Sequence, residues 1–169
     1  MGAGTREPAG SSFVAMEGNV VTVERFIPAP AEAIFDLLVD PNRHQEFDGS
    51  GSVRDARSSE PGKRLAEGDS FGMSMKIGLP YSMNNTVVEF DENRRIAWQT
   101  KGPGPFSFVG GRIWRYELEP AEGGTKVRES WDISRESALS RGAVRRLAKT
   151  TESNMAKTLE RIEQVVTGG

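Results

Sequence analysis

The sequence predicts one α+β domain in which a long C-terminal helix covers a curved antiparallel sheet. Three observations support this fold class: a β-branched segment followed by short helices near the start, a run of segments with two-residue periodicity in the middle, and one amphipathic segment at the end. Consecutive strands with helices gathered at the two ends are typical of α+β domains rather than of doubly wound sheets. We place the domain at residues 19–167, after a flexible tail at residues 1–18 that is rich in Gly, Ala, Pro and Ser.

The first strand and two short helices are predicted near the start of the domain. Residues 20–27 are rich in β-branched side chains, and this segment ends at Pro28. A helix follows at residues 31–39, where apolar residues recur at helical spacing. Asp40-Pro41 ends that helix, and Asp40 serves as the N-cap of a shorter one at residues 42–47.

About six further strands are predicted between residues 53 and 134, which brings the expected sheet to about seven strands. The clearest is residues 71–77, where four apolar residues alternate with small or polar ones. Gly110-Gly111 indicates a bulge or bend in a later strand.

Apolar residues recur at spacings of three to five from Leu139 to Val166, which predicts one amphipathic helix over residues 138–166. At 1.5 Å per residue such a helix is roughly 40 Å long. A strongly curved sheet cannot fill its own concave side, and this helix is the element large enough to cover it. We therefore expect the helix to close an internal, mostly apolar cavity.

The composition argues against several classes of function. The chain has 169 residues, which is the size of one domain. It has no cysteine and one histidine, so we expect no disulfide and no metal site built on thiolates or several imidazoles. Gly102-Pro103-Gly104-Pro105 lacks the lysine and the following helix of a phosphate loop, so we expect no metal or nucleotide cofactor. The net charge of −2 offers no basic excess for a nucleic-acid partner.

The sequence also lacks the marks of membrane insertion or export. No apolar run reaches about 20 residues and the N-terminus has no apolar core, so we expect a cytoplasmic protein, monomeric or homodimeric, without stable membrane insertion. Arg141, Arg145, Arg146 and Lys149 are interpreted as a solvated helix face, with contact at a membrane surface as the alternative.

Four segments together resemble a known superfamily. They are residues 26–35, 40–49, 94–98 and 114–127, and Phe47 stands in the second where tryptophan is usual. In order and spacing they resemble the START-like superfamily, whose fold is the helix grip, and within it the polyketide cyclase/dehydrase and lipid transport family. The resemblance implies a cavity that holds a lipid-like, aromatic or polyketide-like molecule. It supplies no catalytic motif, because the family mixes enzymes, carriers and sensors.

Strand parity predicts which side chains line the cavity. The expected ligand-binding set is mostly Met, Phe and Trp with a few polar groups, as small-molecule pockets usually are. Its members are Phe47, Phe71, Met73, Met75, Asn84, Thr86, Trp98, Phe108, Trp114, Trp131 and Met155. Ordinary core packing explains the methionines and tryptophans equally well.

Four polar residues are candidates for chemistry. Arg112, Tyr116 and Glu129 are predicted to share the inner face on adjacent strands. The simplest expectation is a structural ion pair between Arg112 and Glu129, and the alternative is a ligand anchor or general acid/base with a shifted pKa. His44 is expected to be an exposed helix residue, with a place at the cavity mouth or a role as proton carrier as the alternative.

Three functions follow from these features, in order of preference. The first is binding or transport of a small hydrophobic ligand without chemistry. The second is a polyketide cyclase- or dehydratase-type enzyme that uses the four polar candidates for general acid/base catalysis. The third is a sensor or chaperone-like protein that contacts a partner through its helix or edge strand.

Overall fold

The computed structural model describes residues 12–51, 53–57, 62–77 and 79–169, and it confirms the α+β class. Across these residues one antiparallel sheet has the order β1-β2-β8-β7-β6-β5-β4-β3. Its strands are β1 (Ser12–Glu17), β2 (Val20–Ile27), β3 (Val53–Arg57), β4 (Ser70–Ile77), β5 (Leu79–Asp91), β6 (Arg95–Lys101), β7 (Gly110–Ala121) and β8 (Gly124–Asp132). The helices are α1 (Ala31–Leu38), α2 (His44–Phe47), α3 (Ala138–Arg145) and α4 (Ala148–Thr167).

The sheet begins earlier than predicted. Strand β1 pairs with β2 from Ser12 opposite Arg25 to Glu17 opposite Val20, so it lies within the segment expected to be a flexible tail. Residues 1–11 of that tail lie outside the described residues. On its other side β2 pairs with β8, which brings the first part of the domain against its last strand.

A bulge in β5 overturns the predicted orientation of Asn84 and Thr86. Val87 lies opposite Trp98 whereas Glu89 lies opposite Ala97, so Val88 is an extra residue in β5. An extra residue reverses the alternation of side chains between the two faces. Asn84 and Thr86 are therefore exposed, and the inward residues of this part of β5 are their neighbours Asn85 and Val87.

The predicted irregularity at Gly110-Gly111 is confirmed. The register between β6 and β7 shifts there, and the two glycines have φ angles of 100° and 122°. A Cβ atom on Gly111 would collide with the backbone carbonyl of Arg135. Glycine is required at this position both for its φ angle and because the chain before α3 passes directly over it.

The predicted long C-terminal helix is confirmed as α4, but the span predicted at residues 138–166 is divided into α3 and α4, so the expectation of one unbroken helix is wrong. At the junction the backbone N–H groups of Arg146 and Leu147 donate to carbonyls three residues earlier, at 3.2 and 2.9 Å. This tightening to 3-10 geometry separates α3 from α4. Leu147 is 50% exposed at the junction, whereas the apolar stripe of α4 is buried at Met155, Leu159 and Ile162.

The loop after α2 is fixed to α4 by backbone contact. Gly49 N–H donates to Thr158 Oγ1 at 3.0 Å, and a Cβ atom on Gly49 would collide with the carbonyl of Asn154. Arg161 also donates to the carbonyl of Asp48. These contacts hold α2 over the concave face of the sheet. In the described part of the chain, no helix has both the length and the apolar character that crossing a membrane requires.

Candidate functional site

The three tryptophans of the chain form one row across the inner face of the sheet. Trp98 on β6 lies opposite Trp114 on β7, and Trp114 lies opposite Trp131 on β8. The Trp114 and Trp131 rings are 6.3 Å apart between centroids. The strand parity that predicted their inward orientation is therefore correct for β6, β7 and β8.

His44 is buried, which corrects the expectation of an exposed helix residue. Its ring stacks on Trp98 with centroids 5.1 Å apart and also contacts Phe47 and Phe71. Nε2 lies 2.8 Å from the Leu38 carbonyl and donates to it, so Nδ1 is the unprotonated nitrogen of the neutral ring. Burial lowers the pKa of His44 to about 4, so the ring is neutral at physiological pH.

Sequence reasoning placed His44 outside because Gln45 and Glu46 follow it, and both of these are exposed. The signal that it faces inward is its spacing from Phe47. Residues three apart share a helix face, and Phe47 was already assigned to the ligand wall.

Tyr116 and Glu129 form a buried hydrogen-bonded pair on β7 and β8. The Tyr116 hydroxyl donates to Glu129 Oε1 at 2.8 Å, and both residues are almost fully buried. The pKa of Glu129 is raised to about 8, mainly by burial; the bond from Tyr116 lowers it and the negative charge of Asp48 adds a smaller rise. Burial and the neighbouring carboxyl also raise the pKa of Tyr116 well above its ordinary value. Both side chains are therefore mainly protonated at neutral pH.

Arg112 pairs with Glu136, not with Glu129, so the predicted ion pair is wrong. Arg112 Nε lies 3.2 Å from Glu136 Oε2, and the Arg112 backbone N–H donates to the same oxygen at 3.0 Å. Ser140 donates to the other carboxyl oxygen at 2.6 Å. The bulge at Gly110-Gly111 explains the exchange of partner, because it brings the start of β7 against the segment that contains Glu136.

Asn85 is a polar residue of the inner face that strand alternation does not predict, because the bulge at Val88 reverses the alternation in this part of β5. It is 1% exposed and lies opposite Phe71 on one side and Thr100 on the other. The Thr100 hydroxyl donates to Asn85 Oδ1 at 2.6 Å. This bond leaves Asn85 Nδ2 without a partner among the described residues.

The remaining predicted wall residues divide into three groups. Phe47, Phe71, Met73 and Met155 are buried in the core that includes the inner face. Phe108 is 59% exposed beside Phe106 in the loop between β6 and β7, so its predicted place on the wall is wrong. The Met75 side chain lies outside the described part of the structure.

Rings are closely packed around Trp98. Phe71 and Tyr116 lie 5.6 and 5.5 Å from it between centroids, in addition to His44. A cleft of about 320 Å³ lies on the outer face of the sheet. Its charged side chains pair with one another, as Arg95 does with Glu117 at 2.8 Å, so they offer few groups to a ligand. In the described ranges no cluster of His, Asp and Glu has a composition suited to a metal ion.

An aromatic inner face on a curved antiparallel sheet, covered by a C-terminal helix, defines the helix-grip class of proteins. Within that class, residues 19–167 match the family model described as polyketide cyclase / dehydrase and lipid transport. The chain belongs to this family.

Two curated relatives come from strains of Mycobacterium tuberculosis, the uncharacterized proteins Rv0088 and MT0096. They are 35% and 34% identical to this chain over 118 residues. The match covers 69% of this chain and 48% of each relative, so the chain spans about half of their length.

Solved structures share the fold at low sequence identity. A protein from Arthrobacter aurescens has a TM-score of 0.70 at 14% identity, covering 93% of this chain and 92% of its own. Protein Ms6760 from Mycobacterium smegmatis has a TM-score of 0.66 at 16% identity, covering 95% of this chain and 99% of its own. DynU16, described as a putative protein in the dynemicin biosynthetic locus, has a TM-score of 0.60 at 14% identity, covering 90% of this chain and 49% of its own.

Proposed function

We propose that this protein binds or carries a small, mostly apolar ligand, lipid-like or polyketide-like, on the inner face of its sheet next to Trp98. The observation that carries the proposal is a concentration of unpartnered polar atoms on this aromatic face. His44 Nδ1, Asn85 Nδ2 and Glu129 Oε2 are buried and have no hydrogen-bond partner among the described residues. A ligand with a few polar groups would supply the missing partners.

The energetic cost of these atoms supports a ligand rather than ordinary core packing. A buried polar group without a partner costs about 1–3 kcal/mol, which is a large share of the stability of one domain. The fourth such atom, Arg112 Nε, still has the Glu136 carboxylate 3.2 Å away. The three without a charged partner come from the inner face of the sheet, at Asn85 and Glu129, and from α2 packed against it, at His44. Ligand binding there can offset the cost.

The three atoms also belong to one connected group of side chains. His44 stacks on Trp98, and Tyr116 contacts the Trp98 ring while it donates to Glu129. Asn85 lies opposite Phe71, whose ring contacts both His44 and Trp98. A ligand in contact with Trp98 would therefore be within reach of polar groups from three separate elements.

The core also contains side chains that can make room for a ligand. Met73 on β4 and Met155 on α4 are buried in it. Methionine is unbranched and adapts to irregular shapes at little cost. We therefore expect these two side chains to repack around a guest.

Native mass spectrometry of the purified protein tests this proposal. We expect a small apolar molecule to copurify with the wild type and with Asn84→Ala, since Asn84 is exposed on β5. We expect less of it with Asn85→Ala, which removes the neighbouring inward amide. Intrinsic fluorescence is a second readout, because all three tryptophans lie on the inner face. A protein that carries nothing, and whose fluorescence no extracted lipid or aromatic metabolite changes, is not a ligand carrier.

A second candidate function is a cyclase- or dehydratase-type reaction in the same place. The observation that favours it is the pKa of about 8 at Glu129, since a buried acid that titrates near neutral pH suits proton transfer. Tyr116 donates to it, and neutral His44 contacts the same Trp98 ring as Tyr116, so both are candidates for further proton donors or acceptors. Turnover of an aromatic polyketide by the wild type, abolished in Glu129→Gln but retained in the exposed Glu119→Gln, would establish this function over simple binding.

A further inference from the structure

We infer that the ligand is an uncharged molecule that carries both a carbonyl and a hydroxyl group on a flat, ring-containing body, and is neither a carboxylate nor an amine. This inference rests on the proposed binding function and narrows it to one chemical class. Three features of the inner face support it: the charges around it, the donors and acceptors it presents, and the rings that surround them.

The charged groups that influence Glu129 and His44 are carboxylates. Asp48 is the charged neighbour that influences Glu129, and Asp40 and Asp48 are those that influence His44. The nearest cation expected from the sequence, Arg112, is paired with buried Glu136 instead. A carboxylate ligand would therefore lose its hydration without gaining a cation, which costs several kcal/mol in a buried site.

The unpartnered atoms present two donors and one acceptor. Asn85 Nδ2 is an amide donor, because its Oδ1 accepts from Thr100. Glu129 Oε1 accepts from Tyr116, so the proton of the neutral carboxyl group is available at Oε2. His44 Nδ1 is an acceptor, because Nε2 donates to the Leu38 carbonyl. A ligand carbonyl satisfies a donor and a ligand hydroxyl satisfies the acceptor.

An amine is a poorer match for the same atoms. An ammonium group has donors only, so it would leave Asn85 Nδ2 unpaired. It would also require the ionised form of Glu129, in a buried place where Asp48 already opposes that form. A neutral ligand instead binds Glu129 in its protonated, uncharged form, which is the form that it already has in the folded protein.

The surrounding rings favour a flat body. Trp98 is stacked with His44 at an interplanar angle of 23° and tilted by 35° to Tyr116, while Phe71 meets it edge-on. Offset-stacked and edge-to-face contacts are the geometries that aromatic rings prefer. A planar ring system can take part in the same contacts, whereas a flexible acyl chain makes no such directed ones.

A matched series of naphthalenes tests the inference by isothermal titration calorimetry at pH 7. The compounds are 6-acetyl-2-naphthol, 6-hydroxy-2-naphthoic acid, 6-(aminomethyl)-2-naphthol and 2-ethylnaphthalene, which share the ring system and differ in the polar groups. We expect the acetyl compound to bind at least tenfold more tightly than each of the others. Tighter binding of the acid or the amine, or equal binding of 2-ethylnaphthalene, overturns the inference but leaves the binding function standing. Saturable binding of none of the four counts against the binding function itself.

Variants at Glu129 separate a neutral donor from a buried anion. Glu129→Gln keeps an oxygen for Tyr116 and places an N–H donor at the other position, so we expect affinity for 6-acetyl-2-naphthol within about twofold of the wild type. Glu129→Ala removes both, and a lost hydrogen bond of about 1 kcal/mol corresponds to roughly fivefold weaker binding. Asn85→Ala should weaken binding similarly, and Asn84→Ala should leave it unchanged. Equal loss in Glu129→Gln and Glu129→Ala would show that the ligand needs the anion and would overturn the inference.

Discussion

Tyr116 and Glu129 are cross-strand partners on β7 and β8, and the Tyr116 hydroxyl donates to Glu129 Oε1 at 2.8 Å inside the core. The bond satisfies one carboxyl oxygen and leaves the other without a partner in the described part of the chain. The pair therefore holds an acid in its neutral form beside three tryptophans. The protonation state of Glu129 therefore makes the stability of the fold depend on pH. It also decides whether the inner face presents a neutral carboxyl group or an anion to a ligand.

Stability should fall between pH 6.5 and 8. Glu129 has a pKa of about 8 in the folded protein and 4.5 as its ordinary value, so the folded state holds the extra proton and its stabilising effect is lost as pH rises through this range. His44 acts in the opposite direction, because its pKa falls from 6.5 to about 4 and stability rises with pH between those values. The two effects offset each other up to pH 6.5, and above it Glu129 alone lowers the free energy of unfolding by about 2 kcal/mol.

Urea unfolding of the wild type and of Glu129→Gln at closely spaced pH values measures this effect. The variant should lose the decline above pH 6.5, and it should be the more stable protein at pH 8. Glu119→Gln, at an exposed position on β7, is the matched control and should retain the wild-type profile. Parallel profiles for wild type and Glu129→Gln would mean that this carboxyl group does not titrate in the window.

Tyr116→Phe should destabilise the protein by about 1–2 kcal/mol, because it removes the donor to Glu129 and leaves both carboxyl oxygens unpaired. It should also move the pH-dependent decline to higher pH, since the bond from Tyr116 lowers the pKa of Glu129. The second tyrosine of the chain supplies the control. Tyr81 is 38% exposed, so Tyr81→Phe should change the unfolding free energy by less than about 0.5 kcal/mol. Equal effects of the two substitutions would contradict a special role for the buried hydroxyl.

His44 is the one imidazole of the chain, so the NMR signals of its ring nitrogens can be assigned without ambiguity. Nitrogen-15 NMR of the ring should show a neutral Nε2–H tautomer from pH 7 down to about pH 4, because burial lowers the pKa and the Leu38 carbonyl holds the proton on Nε2. The same residue in urea-unfolded protein should titrate near 6.5. A titration midpoint near 6.5 in the folded protein would place the ring in solvent.

The order of elements could be predicted from the sequence, because it depends on local signals that the residues carry. The alternation in β8 correctly predicted that Glu129 and Trp131 face inward, since no bulge interrupts that strand. In β5 the same reasoning failed for Asn84 and Thr86. One extra residue reverses every orientation before it, and Val88 has no side-chain property that marks it as the bulge.

The partners of the polar residues were harder to predict than the strands. Glu136 lies in the irregular segment between β8 and α3, where no periodicity shows whether a side chain is buried. Its pairing with Arg112 depends on the close approach of two backbones at Gly111. The burial of His44 could be predicted only in part: its spacing from Phe47 indicates a shared face of α2, whereas its contact with Trp98 depends on how the helix docks over the sheet.

Gly49→Ala should weaken the docking of α2 against α4 and destabilise the protein. The added methyl group would collide with the Asn154 carbonyl and the Thr158 backbone nitrogen, so the loop after α2 must move away from α4. It would also disrupt the bond from Gly49 N–H to Thr158 Oγ1. Overpacking of this kind costs about 1–3 kcal/mol, and the lost bond places the expected destabilisation at the upper end of that range.

Gly142→Ala is the matched control, because Gly142 lies within α3 and a Cβ atom there would meet no other atom within 4 Å. Alanine is the better helix former by about 0.5–1 kcal/mol, so this variant should be slightly more stable than the wild type. Thermal unfolding should show a lower melting temperature for Gly49→Ala and a slightly higher one for Gly142→Ala. Tryptophan emission shows whether the environment of the inner face has changed in either variant. If Gly49→Ala unfolds at the wild-type temperature, α2 is not clamped to α4 by this contact. His44 would then be held over Trp98 by its bond to Leu38, its ring contacts and the bond from Arg161 to the Asp48 carbonyl.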